Sequence, residues 1–202
     1  MGVTPPRVGV VHLGAGRTEL TAFVRADGRA QACWPTQVEL AWEESHLHVR
    51  FHCCDDDAWG TFTERDDPLW QQEVVELFLA PGEAVPTRYF EFELSPAGVL
   101  FDARVFNPHG DRIGMQVDTQ WNCSGLEWGA EPTGERADWR AHLAIPWRGL
   151  DLAAPPSTLR ANFYRIERPH GGEPEFSCWS PTFTSPADFH RPSRFGVLDL
   201  IR

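Results

Sequence analysis

His46-Leu47-His48-Val49-Arg50-Phe51-His52 alternates polar and apolar residues without a break, the period of a strand with one buried face. The same alternation returns in Tyr89-Phe90-Glu91-Phe92-Glu93-Leu94 and in Val99-Leu100-Phe101-Asp102-Ala103-Arg104-Val105-Phe106. Segments 141–145, 161–166 and 195–200 repeat it. Turn formers separate these runs: Asp66-Asp67-Pro68, Pro81-Gly82, Pro96-Ala97-Gly98, Asn107-Pro108-His109-Gly110, Pro132-Thr133-Gly134 and Gly171-Gly172. Short strands at this spacing, about ten of them, predict an all-β chain folded as an antiparallel, jelly-roll-like β-sandwich. No linker or repeat divides residues 1–202, which read as one domain. The only helical candidate, Pro146-Trp147-Arg148-Gly149-Leu150, is a single turn.

Composition narrows the function. All 18 basic residues are arginine, which excludes Schiff-base lysine chemistry and a P-loop lysine. A net charge of -11 without a basic run argues against nucleic acid or an anionic membrane as partner. The first apolar stretch is short, follows Arg7 and is broken by His12, a poor signal peptide; no run approaches a membrane span. Five cysteines without a CxxC spacing suggest reduced, buried thiols and favour a cytoplasmic location.

The run Val74-Val75-Glu76-Leu77-Phe78-Leu79 is apolar on both faces, as in a central strand, yet carries a carboxylate in its middle. A buried, unpaired charge is costly, so Glu76 calls for a cation, a set of donors or a polar ligand. With residues 81–87 as a loop, strand 73–80 lies beside strand 88–95, and Glu76 faces Glu91 or Glu93. The following strand offers Asp102 and Arg104. One sheet face would then present Glu76, Glu91, Glu93, Asp102 and Arg104, groups suited to hydrogen bonding vicinal hydroxyls. A sugar ring also needs an apolar platform. Trp70, just ahead of the Glu76 strand, and Trp179, among turn formers, are the candidates among nine Trp.

These residues carry a resemblance. The run from Arg65 through Trp70 and Glu76 to Leu79 resembles the strand signature of family 9 carbohydrate-binding modules. Tyr89–Pro96, Ile145-Pro146-Trp147, Arg160–Arg165, Trp179-Ser180-Pro181-Thr182, Phe189-His190-Arg191-Pro192 and Phe195-Gly196 fit in the same order. The resemblance implies a β-sandwich whose two Trp rings, Trp70 and Trp179, clamp a terminal sugar while Glu76 bonds its hydroxyls. Where sugar-binding members place an arginine on the next strand, this chain has Glu91 or its neighbour; Arg104, one strand over, is the candidate substitute.

Other readings stay beside this one. A glycosidase would draw a carboxylate pair from Glu73, Glu76, Glu91 and Glu93, although an adjacent Arg104 would keep its neighbours ionised. Relatives of the sandwich bind haem or partners, and Met1, Met115 and eight His are the available axial ligands. Asp55 and Asp57, in the Asp55-Asp56-Asp57 run, are candidate ligands for the structural calcium that some family members carry, but a solvated acidic turn is the simpler reading. His46, His48 and His52 share a strand face with Arg50, whose charge opposes a bound metal.

Overall fold

The computed structural model describes residues 3–134 and 136–202. Its strands run in chain order as β1 (Arg7–Val11), β2 (Thr18–Leu20), β3 (Val24–Arg25), β4 (Thr36–Trp42), β5 (His46–Cys53), β6 (Val74–Pro81) and β7 (Arg88–Leu94). The second half adds β8 (Leu100–Phe106), β9 (Gln116–Asp118), β10 (Glu127–Pro132), β11 (Trp139–Pro146), β12 (Thr158–Glu167), β13 (Glu175–Cys178) and β14 (Gly196–Ile201). They form two stacked sheets, a β-sandwich. The larger has the order β1-β14-β12-β6-β7-β8-β9, with β13 and then β3 attached beside β12; the smaller is β10-β11-β5-β4-β2.

The fold class expected from the alternation is the one found, with two differences. Among the described residues fourteen strands replace about ten. The surplus is mostly short pieces such as β2, β3 and β9, of two or three residues, too brief to show a period. One pairing is also parallel, β1 with β14. The single helical turn over 146–150 is present as a 3₁₀ turn, Trp147–Leu150. Among the described residues no helix is long and apolar enough to cross a membrane. The five cysteines are free thiols.

Strand β6 explains how the larger sheet is used. Val75, Leu77 and Leu79 point into the sandwich, where they join Phe92 and Phe163 from their own sheet and Val49, Phe51 and Leu143 from the other. Val74, Phe78 and Ala80 point the opposite way and are equally buried, in a second apolar cluster with Tyr89, Phe101, Tyr164, Phe189 and Phe195. The outer face of this sheet is therefore covered, by the irregular segments 107–115 and 180–195. Glu76 belongs to that outer, covered face.

Strand β12 changes partner halfway along. Residues 158–161 pair with β14, and residues 164–167 pair with β13. At the fork stands Asn162, fully buried. Its Oδ1 accepts from the amides of Phe163 and Ser180, both at 3.0 Å, and its Nδ2 donates to the Ser180 carbonyl at 2.8 Å. An amide side chain thus satisfies backbone groups that the divided ladder leaves open. This anchor also fixes the start of the covering segment.

Candidate ligand-binding cleft

Between sheet and cover lies a cleft of about 440 Å³, a size that suits a small ligand. Its floor is acidic. Glu76 and Glu93 stand directly opposite one another on β6 and β7, and Glu91 lies one alternation along, opposite Phe78. Each offers a carboxylate oxygen, and the three oxygens lie within 4.8 Å of one another. Trp70, from the 3₁₀ turn Leu69–Gln71 ahead of β6, stands at the rim with 43% of its surface exposed. Its ring meets the Phe101 ring edge-on, with centroids 5.4 Å apart. Phe176, Phe189 and Met115 complete the apolar walls.

The electrostatics follow from burial. Desolvation raises Glu76 well above the usual carboxylate range, Glu91 adds to the rise, and Arg112 opposes it. Glu93 is raised well above that range by burial and then by its two acidic neighbours. Burial lifts Glu91 to about 7, held back by its contact with Glu93 and by Arg112. The three carboxyls thus share protons at neutral pH and titrate as a unit. His190 stays neutral, because burial pushes it down to about 3 with Arg112 assisting. Its Nδ1 is 2.8 Å from the Tyr89 hydroxyl, and its Nε2 is 3.9 Å from Glu91 Oε1.

The cover is pinned above this floor by polar contacts. The Tyr164 hydroxyl donates to the Phe189 carbonyl at 3.0 Å, and the two rings stack with centroids 4.2 Å apart. Asn107 Nδ2 donates to the His190 carbonyl at 3.1 Å. Arg112 is tied to Asp188 at 2.6 Å.

Of the residues singled out in the sequence, the structure brings together Trp70, Glu76, Glu91 and Glu93. It separates the others. Asp102 and Arg104 pair across the ladder with Phe92 and Phe90, so they lie on the opposite face from the glutamates. A phase difference of one residue between β7 and β8 decides this. Arg104 instead holds Asp151 at 2.6 Å and lies over Trp121, 5.0 Å from the ring centroid. It substitutes for nothing in the cleft. Trp179 is only 9% exposed and faces the inter-sheet core, edge-on to Phe163 with centroids 5.8 Å apart. It is no second platform; the facing wall is made by phenylalanines. Sequence reasoning missed Arg112 and His190 as cleft residues. Phe189-His190 was visible as a family-like piece, whereas Arg112 sits in a loop with no periodic signal.

Asp55 and Asp57 go to different partners. Asp57 takes His170 Nδ1 at 2.5 Å on the surface. Asp55 is buried and accepts from Arg165 at 2.8 Å and from Trp139 Nε1 at 3.2 Å. Glu73 and Glu167 join Asp55 within 4.8 Å, and Arg165, also paired with Glu167, supplies the positive charge there. A guanidinium already occupies the place among these carboxylates that a calcium ion would need, so the donor set does not fit one. Arg165 also pairs across the ladder with Val75, on the inner face, and so cannot compensate Glu76. His48 and His52 lie beside Glu43 and Glu39, both at 3.3 Å, on the solvent side of the smaller sheet.

A two-sheet sandwich with an aromatic rim over a polar floor defines a small-ligand-binding module. The profile of carbohydrate-binding family 9 matches residues 29–200, and the chain belongs to that family. A protein of Arthroderma benhamiae described as an extracellular protein is 27% identical over 168 residues, 79% of this chain and 76% of that one. A protein of Bacteroides uniformis proposed to bind carbohydrate superposes with a TM-score of 0.79 at 18% identity, covering 98% of this chain and all of its own. A family 9 module of Caldicellulosiruptor kristjanssonii, solved with cellotriose, superposes with a TM-score of 0.63 at 12% identity over 96% of this chain and 93% of that module. A family 9 module of C. kristjanssonii solved with glucose gives 0.61, also at 12% identity, over 96% and 95% of the two chains.

Proposed function

We propose that the cleft binds the end of a carbohydrate chain and does not cleave it. One observation carries the reading: Trp70 presents an exposed ring at the rim of a cleft whose floor is three buried carboxyls. The indole covers the C–H face of a sugar ring, and the carboxyls bond its hydroxyls. Membership of carbohydrate-binding family 9 supports it, as do the glucose and cellotriose carried by family 9 modules of C. kristjanssonii. Hydrolysis needs two carboxyls flanking the scissile bond. Here all three rise from adjacent strands of one sheet face, and Glu73 points into the ion cluster around Arg165. Secretion fits better than the cytoplasmic expectation, given the description of the A. benhamiae relative.

Calorimetric titration with glucose, cellobiose, xylose oligomers and galactose tests the proposal. Binding at millimolar affinity or tighter to at least one sugar, lost in Trp70→Ala, is the expected result. Folded protein that binds neither these nor an amino sugar refutes it.

A further inference from the structure

The acidic floor has no directly paired cation. Among the described residues no arginine forms an ion pair with Glu76, Glu91 or Glu93, and the sole charged-group contact is the neutral His190, 3.9 Å from Glu91. Glu93 is 1% exposed, and its Oε2 has no hydrogen-bond partner. Two arginines line the cleft, and neither reaches the floor directly, although Arg112 acts on Glu76 and Glu91 at longer range. Arg112 is tied to Asp188 at 2.6 Å. Arg168 donates to the Trp70 carbonyl at 3.1 Å and lies over the Phe176 ring. Thr119 adds a neutral hydroxyl to the lining, and the nearby phenols of Tyr89 and Tyr164 are kept neutral by burial.

From this we infer that the carboxyl floor receives an ammonium group, making the preferred ligand an amino sugar with a free amine. The inference rests on the carbohydrate reading and names the substrate class. A protonated amine has three N–H donors at tetrahedral angles. With bonds of about 2.8 Å, three acceptors around it stand about 4.6 Å apart. The three carboxylate oxygens lie within 4.8 Å of one another, which admits that spacing. Trp70, Phe101, Phe176 and Phe189 surround the approach, and aromatic faces attract a cation while covering the ring of the sugar. A neutral hydroxyl brings no charge to hold three carboxylates together. Binding an ammonium ionises carboxyls that otherwise share protons, so those protons leave to solvent.

Titration of the whole chain at about pH 6.5, where such an amine is charged, compares glucosamine, glucose and N-acetylglucosamine in two buffers of different ionisation heat. Glucosamine should bind about tenfold tighter than the other two or better. Its apparent enthalpy should differ between buffers, reporting proton release. Glu93→Gln should reduce the preference to the level of glucose, and Glu76→Gln should do the same if Glu93→Gln folds poorly. Glucose binding as tightly as glucosamine overturns the inference and leaves the carbohydrate reading standing. No binding of any sugar overturns both. Heat from calcium chloride alone, abolished in Glu93→Gln, makes the floor a metal site and overturns the ammonium.

Discussion

Glu76 and Glu93 face each other as a direct cross-strand pair, both buried and both with carboxyls raised far above the usual range. Like charges directly opposite in a ladder are destabilising, and the pair is tolerated because it keeps protons. The fold therefore carries a local cost at a place where a ligand can relieve it.

Glu76→Gln should leave stability unchanged or raise it by about 1 kcal/mol, because it removes a like-charge neighbour without changing shape. The same variant should bind glucosamine no more tightly than glucose. Urea midpoints and calorimetric titration on the one protein check both. A midpoint that collapses would mean the carboxyl serves the fold.

Stability should fall as pH rises. Glu91, raised from 4.5 to about 7, favours folding fully below its unfolded value and loses that contribution as pH climbs through 7. That alone is worth on the order of 3 kcal/mol. Glu167, raised to about 7, and Glu73, raised to about 9, act in the same direction. His190 works the other way: its depressed value costs stability as pH drops below about 6.5. One imidazole against six raised carboxyls leaves the optimum on the acid side, about pH 5. Urea midpoints at about pH 5, 7 and 9 should descend in that order; a rising series would contradict the assignment.

Trp70→Ala and Trp179→Ala should separate cleanly. Trp179 packs in the inter-sheet core, so its truncation should cost about 3–5 kcal/mol. Trp70, exposed at the rim, should cost about 1 kcal/mol or less while abolishing sugar binding. Thermal unfolding and titration of the two variants decide the matter. Equal losses of stability would place Trp70 in the core.

Arg165→Met should be strongly destabilising, by about 3–5 kcal/mol, since it strands Asp55 and Glu167 without their cation. Sugar affinity measured on the surviving folded fraction should hardly change, because that cluster lies on the inner face of the sheet. Lost affinity at retained stability would contradict the separation of the two acidic clusters.

The alternation in segments such as His46–His52 and Tyr89–Leu94 made the sandwich legible, because burial of one face imposes it directly. The acid in β6 was legible for the complementary reason: Glu76 interrupts a run that is apolar on both faces. Arg104 was misplaced because alternation within β8 does not report its phase against β7. Trp179 was misassigned because a tryptophan just past a strand reads alike whether it packs inward or lines a rim. Arg112 and His190 reach the cleft from irregular chain, where spacing encodes no direction.

The covering segment with Phe189 and His190 adds no strand to either sheet and rests on the sheet through its own apolar cluster and a few polar ties. Such a piece can lift away in a sub-global opening far cheaper than global unfolding. Amide hydrogen exchange should therefore report two tiers, fast in the cover and slow in β6 and β12. Ligand residence time would follow the rate at which the cover lifts, so grip and capture speed can be tuned in the loop with the sandwich left intact.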